Sequence, residues 1–300
     1  MPTRRLREEV GHEPHQTMTH IHPTAIIDPT ATIADDVRIG PFCVIGPDVV
    51  IGSGCILHDR VSVVRRTRMG RDNLLYPCCV VGGDPQDRKY AGEDTDCVIG
   101  DRNEIREHVT IHRGTANGGG VTTIGSDCLL MVSSHIAHDC HLADRVTLAN
   151  QVMLAGHITI EGGASVAGGA GVHHFVTIGQ LAFVGGLTRA IRDVPPFMIV
   201  EGHPSEIRAV NVIGMSRAGI GQAEIDAVKD AFKRLYREPG PMAERLPQVR
   251  SAHEGVASVQ TLCDAIEASS QGPHGRGREA ARSDDKWQTP AQVASSSSTT

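Results

Sequence analysis

The sequence predicts a mainly β protein, a parallel β-helix followed by a small α-helical domain. An aliphatic or methionine residue returns at every sixth position from Ile27 to Val81 and again from Ile124 to Val184. A smaller apolar residue precedes most of these by two positions. Neither a helix nor an ordinary strand repeats at six, whereas a hexapeptide repeat is typical of a β-helix. The aromatic content of only 3% suits a narrow core filled by aliphatic side chains.

The repeat also provides a ruler for stacking. If three hexads close one triangular coil, residues 18 apart lie one above the other at about 5 Å, the ordinary spacing of paired strands. The two apolar positions of each hexad should fill the prism, and the other four should face outward. The turns between strands should take Gly, Asn or Asp where φ is positive.

Four segments follow from these patterns. Residues 1–20 lack any period and are expected to form a flexible extension, and residues 21–203 carry the β-helix. Apolar residues then recur at helical spacing, so residues 204–268 are assigned to a helical domain, with helices over QAEIDAVKDAFKRLYRE and from Val256 to Ala268. Residues 269–300 are rich in Ser, Gly, Arg and Gln and are expected to be disordered.

Two polar segments interrupt the hexads, DPQDRKYAGEDT between Gly83 and Asp96 and RGTANGGG from Arg113 to Gly120. Insertions in a solenoid collect on its binding face. Both segments are therefore predicted to wall a cleft.

The charge and the cysteines limit the possible functions. A net charge of −6 argues against a general nucleic-acid binder, and no apolar run is long enough for a transmembrane or signal segment. Six cysteines fall on the smaller inner position of a hexad, where a free thiol packs as a small hydrophobe: 43, 55, 79, 97, 128 and 140. Reduced thiols indicate a cytoplasmic protein.

Several histidines are predicted to form one column on the outside of the prism. None of them occupies an aliphatic position, and the 18-residue ruler places His138 below His157 and below His173 or His174. Two other interpretations remain open. The histidines could be exposed turn residues without a task, or they could bind zinc between subunits.

The favoured interpretation is general base catalysis by His138. A neutral imidazole can remove a proton from a hydroxyl group that attacks a carbonyl carbon, and can then return it to the leaving group. Asp139 is a candidate to stabilise the imidazolium, and the backbone N–H of Gly156 is a candidate to bind the oxyanion.

Several segments, taken in their order and spacing along the chain, resemble the UDP-N-acetylglucosamine O-acyltransferase family, which catalyses the first step of lipid A synthesis: KYAGE, DRNEIREHVTIHRGT, LLMVSSHIAHDC, LAGH, DVPPFMIVEGHP and NVIGMSRAGI. The resemblance covers about residues 20–240. It implies a left-handed parallel β-helix that works as a homotrimer, with active sites in clefts between subunits. It also implies transfer of an (R)-3-hydroxyacyl group from acyl carrier protein to the 3-hydroxyl of UDP-N-acetylglucosamine, without a cofactor or metal.

The resemblance assigns roles to individual residues. His138 matches the catalytic base, and Gly186 matches a position that helps to set acyl-chain length. The remaining matches are to substrate-binding residues: Asp87, Lys89, His135, His157, His173, Asn211 and Arg217. His174 stands where the family commonly has Gln, so the amide contact expected there is in question.

There are three alternatives, which are two related transferase activities and a purely structural role. The N-acyltransferase of the same pathway carries an extra domain before its β-helix, whereas only about 20 residues precede the first hexad here. A short-chain acetyltransferase that uses acetyl-CoA would explain neither KYAGE nor the helical-domain motif. A purely structural solenoid would tolerate loss of His138.

Basic side chains on the helical domain fit the acidic carrier protein.

Overall fold

The computed structural model describes residues 19–271 together with Gly275 and Gly277. The predicted N-terminal extension, residues 1–20, therefore lies almost wholly outside the described residues. The same holds for the tail predicted from residue 269, although its first three residues continue a helix that ends at Gln271. Between these limits the chain forms the predicted β-helix and a set of C-terminal helices.

Short strands form three sheets, which are the faces of a prism and are parallel except for the last strand of the first sheet. The first sheet contains His20–Ile21, Arg38–Ile39, Ile56–Leu57, Leu74–Leu75, Glu104–Ile105, Leu129–Leu130, Thr147–Leu148, Ser165–Val166, Phe183–Val184, Met198–Glu201 and Glu206–Val210. The second sheet contains Ile26–Ile27, Val44–Ile45, Ser62–Val63, Val80–Gly83, Thr110–His112, His135–Ile136, Met153–Leu154, Gly171–Val172 and Arg189–Ala190. The third sheet contains Thr32–Ile33, Val50–Ile51, Thr67–Met69, Asp96–Ile99, Val121–Ile124, His141–Leu142, Thr159–Ile160 and Thr177–Ile178.

The strand register confirms the 18-residue ruler in the uninterrupted coils. Leu129 pairs with Thr147, and Thr147 in turn pairs with Ser165. The two insertions lengthen the step, so that Val80 pairs with Thr110 and Thr110 pairs with His135. Both insertions leave the prism at the same edge, between the second and third sheets.

The predicted aliphatic positions form the core of the prism. From Val37 onward nearly all of them are at most 3% exposed, and they join one continuous cluster with the smaller inner residues. The six inner cysteines are free and buried, as predicted. Desolvation raises the pKa of Cys79, Cys97 and Cys140 to about 12, so these thiols stay protonated at neutral pH.

Polar residues replace the smaller apolar residue in some coils. Asn73 and Asn103 stack inside the prism, and the Asn103 side-chain amide donates to Asn73 Oδ1 at 3.0 Å. Asn73 Nδ2 donates to the carbonyl of Gly100, and the backbone N–H of Cys128 donates to Asn103 Oδ1. This ladder satisfies buried polar groups that would otherwise destabilise the core.

The turn residues differ from the prediction. Gly, Asn and Asp were expected at positive φ, yet the left-handed corners also hold Phe42, Arg60, His157 and Leu181, with φ between 53° and 63°. These corner positions recur at the hexad spacing, so the closure of the coil sets the backbone conformation. Packing of the core on both sides outweighs the local cost, which is about 1–2 kcal/mol for a non-glycine residue.

The C-terminal part begins with a feature that the sequence did not predict. Glu206–Val210 turns back antiparallel on Met198–Glu201, where the helical domain was expected to start. The helices are α1 (Val212–Arg217), α2 (Gln222–Tyr236), α3 (Met242–Ala252) and α4 (Ala257–Gln271).

The helices pack around a second apolar cluster that also includes Leu181, Phe197 and Met198 of the last coil. Helix α3 was not predicted, and it contains Pro247 in its interior. Among the described residues, none of the helices has both the length and the apolar character that a membrane crossing needs.

Candidate active site

The predicted histidines collect at the edge between the second and third sheets, which we call the insertion edge. It comprises the corner residues that follow each strand of the second sheet, together with the inserted segments 84–95 and 113–120. His138, His157, His173 and His174 all occupy this edge, and none belongs to the core cluster. The prediction of an external column is therefore confirmed for this edge.

His138 and Asp139 form a hydrogen-bonded pair. The distance from His138 Nδ1 to Asp139 Oδ2 is 2.8 Å, and the side chains are 13% and 0% exposed. Neighbouring side chains of an extended strand diverge, but Asp139 has φ of 58° at the corner, which turns its carboxylate toward His138. Because Nδ1–H donates to the carboxylate, Nε2 carries the lone pair that can accept a proton.

The carboxylate of Asp139 is fixed from the inserted segment 113–120. The backbone N–H of Thr115 donates to Oδ1 at 2.9 Å, and the Thr115 hydroxyl donates to Oδ2 at 2.7 Å. The Asp139 N–H donates to the Thr122 hydroxyl at 2.8 Å. Burial by itself raises the pKa of Asp139, but the hydrogen bonds from His138 and Thr115 outweigh burial and lower the pKa below its usual value.

Gly156 occupies the coil position directly above His138. A Cβ atom there would lie 2.6 Å from His138 Cε1 and 2.8 Å from Nε2, which is too close for any side chain. Glycine at this position therefore leaves the space that the imidazole ring fills. The Gly156 carbonyl accepts a hydrogen bond from the Phe175 N–H.

The column of rings continues above Gly156, with a phenylalanine at one position where a histidine was expected. The His157 ring lies edge-on to His138 with centroids 5.1 Å apart, and it stacks on Phe175 at 4.5 Å with an angle of 3° between the rings. Phe175 contacts His174, whose ring centroid is 3.9 Å from that of His173. The position 18 residues above His157 is thus a phenylalanine, and the histidine pair lies beside it.

His135 and His112 extend the site onto the second sheet. The Thr110 hydroxyl and His135 Nδ1 are 2.8 Å apart, and the His112 ring lies edge-on to His135 at 4.9 Å. Burial, together with the nearby charge of His138, lowers the pKa of His135. Burial lowers the pKa of His112 to about 4, and repulsion from His135 and His138 adds to this effect. His112 is consequently neutral at pH 7.

The first inserted segment is tied to the second through Arg113. Its guanidinium is fully buried and bonds to the Gly82 carbonyl, the Asp84 carboxylate and the Tyr90 hydroxyl. Because Tyr90 belongs to the KYAGE motif, this cation fixes the segment that carries Asp87 and Lys89. The two insertions therefore pack together at one edge, in agreement with the predicted cleft wall.

Three predicted residues lie elsewhere in the chain. Asn211 caps helix α1, accepts from the Gly214 N–H and donates to the Leu181 carbonyl, so its amide already has local partners. Arg217 ends that helix and is exposed. Gly186 lies on the turn between the first and second sheets, where a Cβ would meet only the Gly168 carbonyl, at 3.4 Å.

The basic side chains of the helical part are partly neutralised. Lys229 pairs with Asp226, and Arg234 pairs with Asp230. Among the described residues, Arg217 makes no ion pair. The basic surface predicted for an acidic partner is therefore smaller than the count of basic residues indicates.

His138, Asp139 and His157 could in principle hold a metal ion. Their donor atoms lie within 4.8 Å of one another. However, Asp139 Oδ2 already accepts from the Thr115 hydroxyl and is 2.8 Å from His138 Nδ1. The hydrogen bonds account for this cluster without a metal.

His112 and Thr115 were not predicted as site residues. His112 precedes the second insertion and Thr115 lies within it, so counting 18 residues back from His138 does not reach them. The strand register that pairs Thr110 with His135, 25 residues later, brings His112 beside the His135 ring. Both residues belong to TIHRGT, the end of a segment that resembles the acyltransferase family.

Comparison with known proteins gives a consistent result. A family model described as domain 2 of UDP-N-acetylglucosamine O-acyltransferase matches residues 193–274, and a model of the GMPPB C-terminal domain matches residues 21–117. The acyl-[acyl-carrier-protein]–UDP-N-acetylglucosamine O-acyltransferase of Xanthomonas euvesicatoria is 47% identical over 252 residues, which is 83% of this chain and 95% of that protein. The corresponding protein of Anaeromyxobacter is 45% identical over 79% of this chain and 93% of its own length.

Solved structures agree with these relatives. The UDP-N-acetylglucosamine O-acyltransferase of Moraxella catarrhalis has a TM-score of 0.81 and 40% identity, and covers 85% of this chain and 98% of its own. The UDP-N-acetylglucosamine acyltransferase of Francisella novicida has a TM-score of 0.79 and 35% identity, and covers 83% and 91%.

Proposed function

The chain belongs to the UDP-N-acetylglucosamine O-acyltransferase family, and from this premise we propose that it acylates the 3-hydroxyl of UDP-N-acetylglucosamine with His138 as general base. The donor is an (R)-3-hydroxyacyl group on acyl carrier protein. The reaction is the first step of lipid A biosynthesis, and the scaffold is a left-handed parallel β-helix with a helical C-terminal part.

The observation that supports this mechanism is the buried His138–Asp139 hydrogen bond of 2.8 Å. Nε2 of His138 takes the proton of the sugar hydroxyl while the hydroxyl oxygen forms a bond to the acyl carbon. Asp139 stabilises the imidazolium that results. As the bond from the acyl carbon to the carrier breaks, His138 returns the proton to the leaving group. The backbone N–H of Gly156 is the donor that we assign to the oxyanion.

The other predicted residues bind substrate in this proposal. His135, His157, His173 and His174 line the insertion edge, where neutral and charged imidazoles can donate to sugar and phosphate oxygens. Asp87 and Lys89 contribute from the segment that Arg113 fixes. Asn211 and Arg217 contact the nucleotide. Gly186 leaves the acyl groove open to long chains, and an assay with carrier-bound donors of graded length tests this, since a preference for short chains would contradict it.

A homotrimer is proposed because the predicted site residues do not all meet within one chain. Gly186, Asn211 and Arg217 lie away from the insertion edge, so a neighbouring copy can supply them. Apolar side chains on the second sheet also remain exposed, 66% for Ile26 and 55% for Met153. Sedimentation at micromolar concentration should give about three times the chain mass of 32.0 kDa. A monomeric active enzyme would contradict the trimer.

The compartment and the donor partner follow from two further features. The buried inner cysteines are all free thiols, which supports a reducing compartment, the cytoplasm. The exposed cation of Arg217, together with others on the helical part, supports binding of the acidic carrier protein. Raising the salt concentration should therefore increase the KM for the carrier-bound donor more than the KM for the nucleotide.

The decisive experiment incubates the purified protein with UDP-N-acetylglucosamine and 3-hydroxyacyl carrier protein and detects acylated nucleotide by mass spectrometry. His138→Ala should lower kcat by about 100-fold or more. The matched control is His141→Ala, because His141 bonds to Thr123 on the third sheet, away from the site. Absence of product with the unmodified protein would overturn the activity, and full activity of His138→Ala would overturn the assigned base.

A further inference from the structure

The inserted segment 113–120 does more than wall the cleft, because it contacts the acid of the catalytic pair. Thr115 is 6% exposed, and its N–H and hydroxyl both donate to the carboxylate of Asp139. Thr115 precedes the short 3-10 helix Ala116–Gly118, where a Thr side chain commonly caps the helix. Here the hydroxyl makes no such cap and bonds to Asp139 instead.

The segment is held rigidly against Asp139. The Arg113 N–H donates to the Gly83 carbonyl at its start, and the Gly118 and Gly120 N–H groups donate to the Thr115 carbonyl. A Cβ on Gly118 would lie 2.1 Å from Asp139 Cγ, so the loop backbone packs directly on the carboxylate. The Thr115 donors consequently have little freedom to move.

These contacts determine which carboxylate oxygen faces the imidazole. Asp139 Oδ2 is 2.8 Å from His138 Nδ1 and 3.8 Å from His157 Nδ1, so the carboxylate lies between two rings. Rotation about the Cβ–Cγ bond of Asp139 would weaken the bond to His138. The two donors from Thr115, one to each oxygen, oppose that rotation.

We propose that Thr115 is a positioning residue, which holds the Asp139 carboxylate in the orientation that supports His138 during proton transfer. This inference rests on the proposed function of His138. Thr115 does not touch the substrate in this account and acts only through Asp139.

The test measures kcat and KM for Thr115→Val, which keeps the side-chain shape and removes the hydroxyl. Loss of one hydrogen bond to a charged group should lower kcat by about tenfold, with both KM values unchanged. Thr115→Ser, which keeps the hydroxyl, should restore most of the activity. Because the Thr115 bond lowers the pKa of Asp139, its loss should also move the acidic limb of the kcat profile to higher pH.

A double-mutant cycle separates positioning from a general structural effect. If Thr115 acts only through Asp139, Thr115→Val should cost less than about twofold in an Asp139→Asn background. If the losses of kcat in the two single variants multiply in the double variant, the inference is overturned. A Thr115→Val enzyme with unchanged kcat and pH profile would also overturn it. Should Thr115→Val fail to fold, as judged by circular dichroism, the same cycle is run with Thr115→Ala. A fully active His138→Ala enzyme would instead remove the proposed base, so the two failures are distinguishable.

Discussion

Two edges of the β-helix have the same backbone and different chemistry. The insertion edge lies between the second and third sheets, and the next edge, which we call the plain edge, lies between the third and first sheets. Each corner residue of the insertion edge has a counterpart on the plain edge one hexad later in the chain. Asp139 at φ 58° matches Arg145 at 59°, and His157 at 63° matches Gly163 at 70°.

The difference between the edges lies in the side chains and the insertions. On the plain edge Asp144 accepts from the Ser126 N–H, which is an ordinary contact between coils, and no insertion interrupts that edge among the described coils. On the insertion edge the carboxylate of Asp139 accepts hydrogen bonds from Thr115 and lies against the imidazole column. The hexad repeat therefore builds the scaffold, whereas departures from the repeat build the site.

The largest effect is expected for Gly156, the glycine directly above His138. Gly156→Ala should lower kcat by about 100-fold to 1000-fold, because its Cβ would displace the His138 ring. The control is Gly162→Ala on the plain edge, where the Cβ would meet only the Asp144 carbonyl at 3.6 Å. That variant should keep its activity and gain up to about 1 kcal/mol of stability. Equal activities of the two variants would contradict the assigned role of Gly156.

A pH-dependent stability is expected from His112 on the insertion edge. Its pKa is about 4 in the folded protein, whereas an unfolded histidine binds a proton below about 6.5. The unfolded state therefore holds more protons between these values, and stability falls as the pH falls. The loss should reach at most about 3 kcal/mol at pH 4.

Denaturant unfolding at pH 7 and pH 4.5 measures this loss. The His112→Leu variant removes the titrating group and should lose less stability over the same interval. Identical pH dependence of the two proteins would show that His112 titrates normally in the folded state.

A smaller effect is expected for the two Thr–His pairs on the faces beside these edges. Thr110 bonds to His135 at 2.8 Å on the second sheet, and Thr123 bonds to His141 at 2.9 Å on the third. Thr110→Val should raise the KM for the sugar nucleotide about fivefold, because His135 loses the partner that orients it. Thr123→Val should leave kinetics unchanged, and similar KM values for both variants would remove His135 from the binding site.

The smallest effect is expected from metal removal. Because hydrogen bonds already occupy Asp139, dialysis against a chelator should change kcat by less than about twofold. Elemental analysis of the purified protein provides the control. One tightly bound metal per chain, with loss of activity on its removal, would instead favour the zinc interpretation of His138, Asp139 and His157.

Much of the fold could be predicted from the sequence because one constraint repeats. The aliphatic residue at every sixth position must face inward in each coil, and Leu130, Leu148 and Val166 stack as the ruler requires. The antiparallel strand Glu206–Val210 and helix α3 have no comparable repeat. Pro247 disfavours helix α3 locally, although packing of Val249 on the other helices stabilises it.

Part of the site could be predicted because the same repeat determines which residues share an edge. His138 and His174 are separated by two whole coils, and His157 comes one residue after the first of them, so counting places all three at one edge. His112 lies directly before the insertion that contains Thr115. The length of this insertion changes the count, and its path depends on contacts such as Arg113 with Tyr90. The turn of Asp139 toward His138 depends on a positive φ that residue type alone does not indicate.

The cysteines inside the prism offer a way to follow how the molecule comes apart. Their thiols are distributed along the prism from Cys43 to Cys140, and several donate to the carbonyl 15 residues later in the chain, as Cys140 does to that of Ala155. A protonated, buried thiol reacts with an alkylating reagent only after its coil has opened. The order in which these cysteines become labelled in the native protein would therefore record which coils open first, without the introduction of any new cysteine.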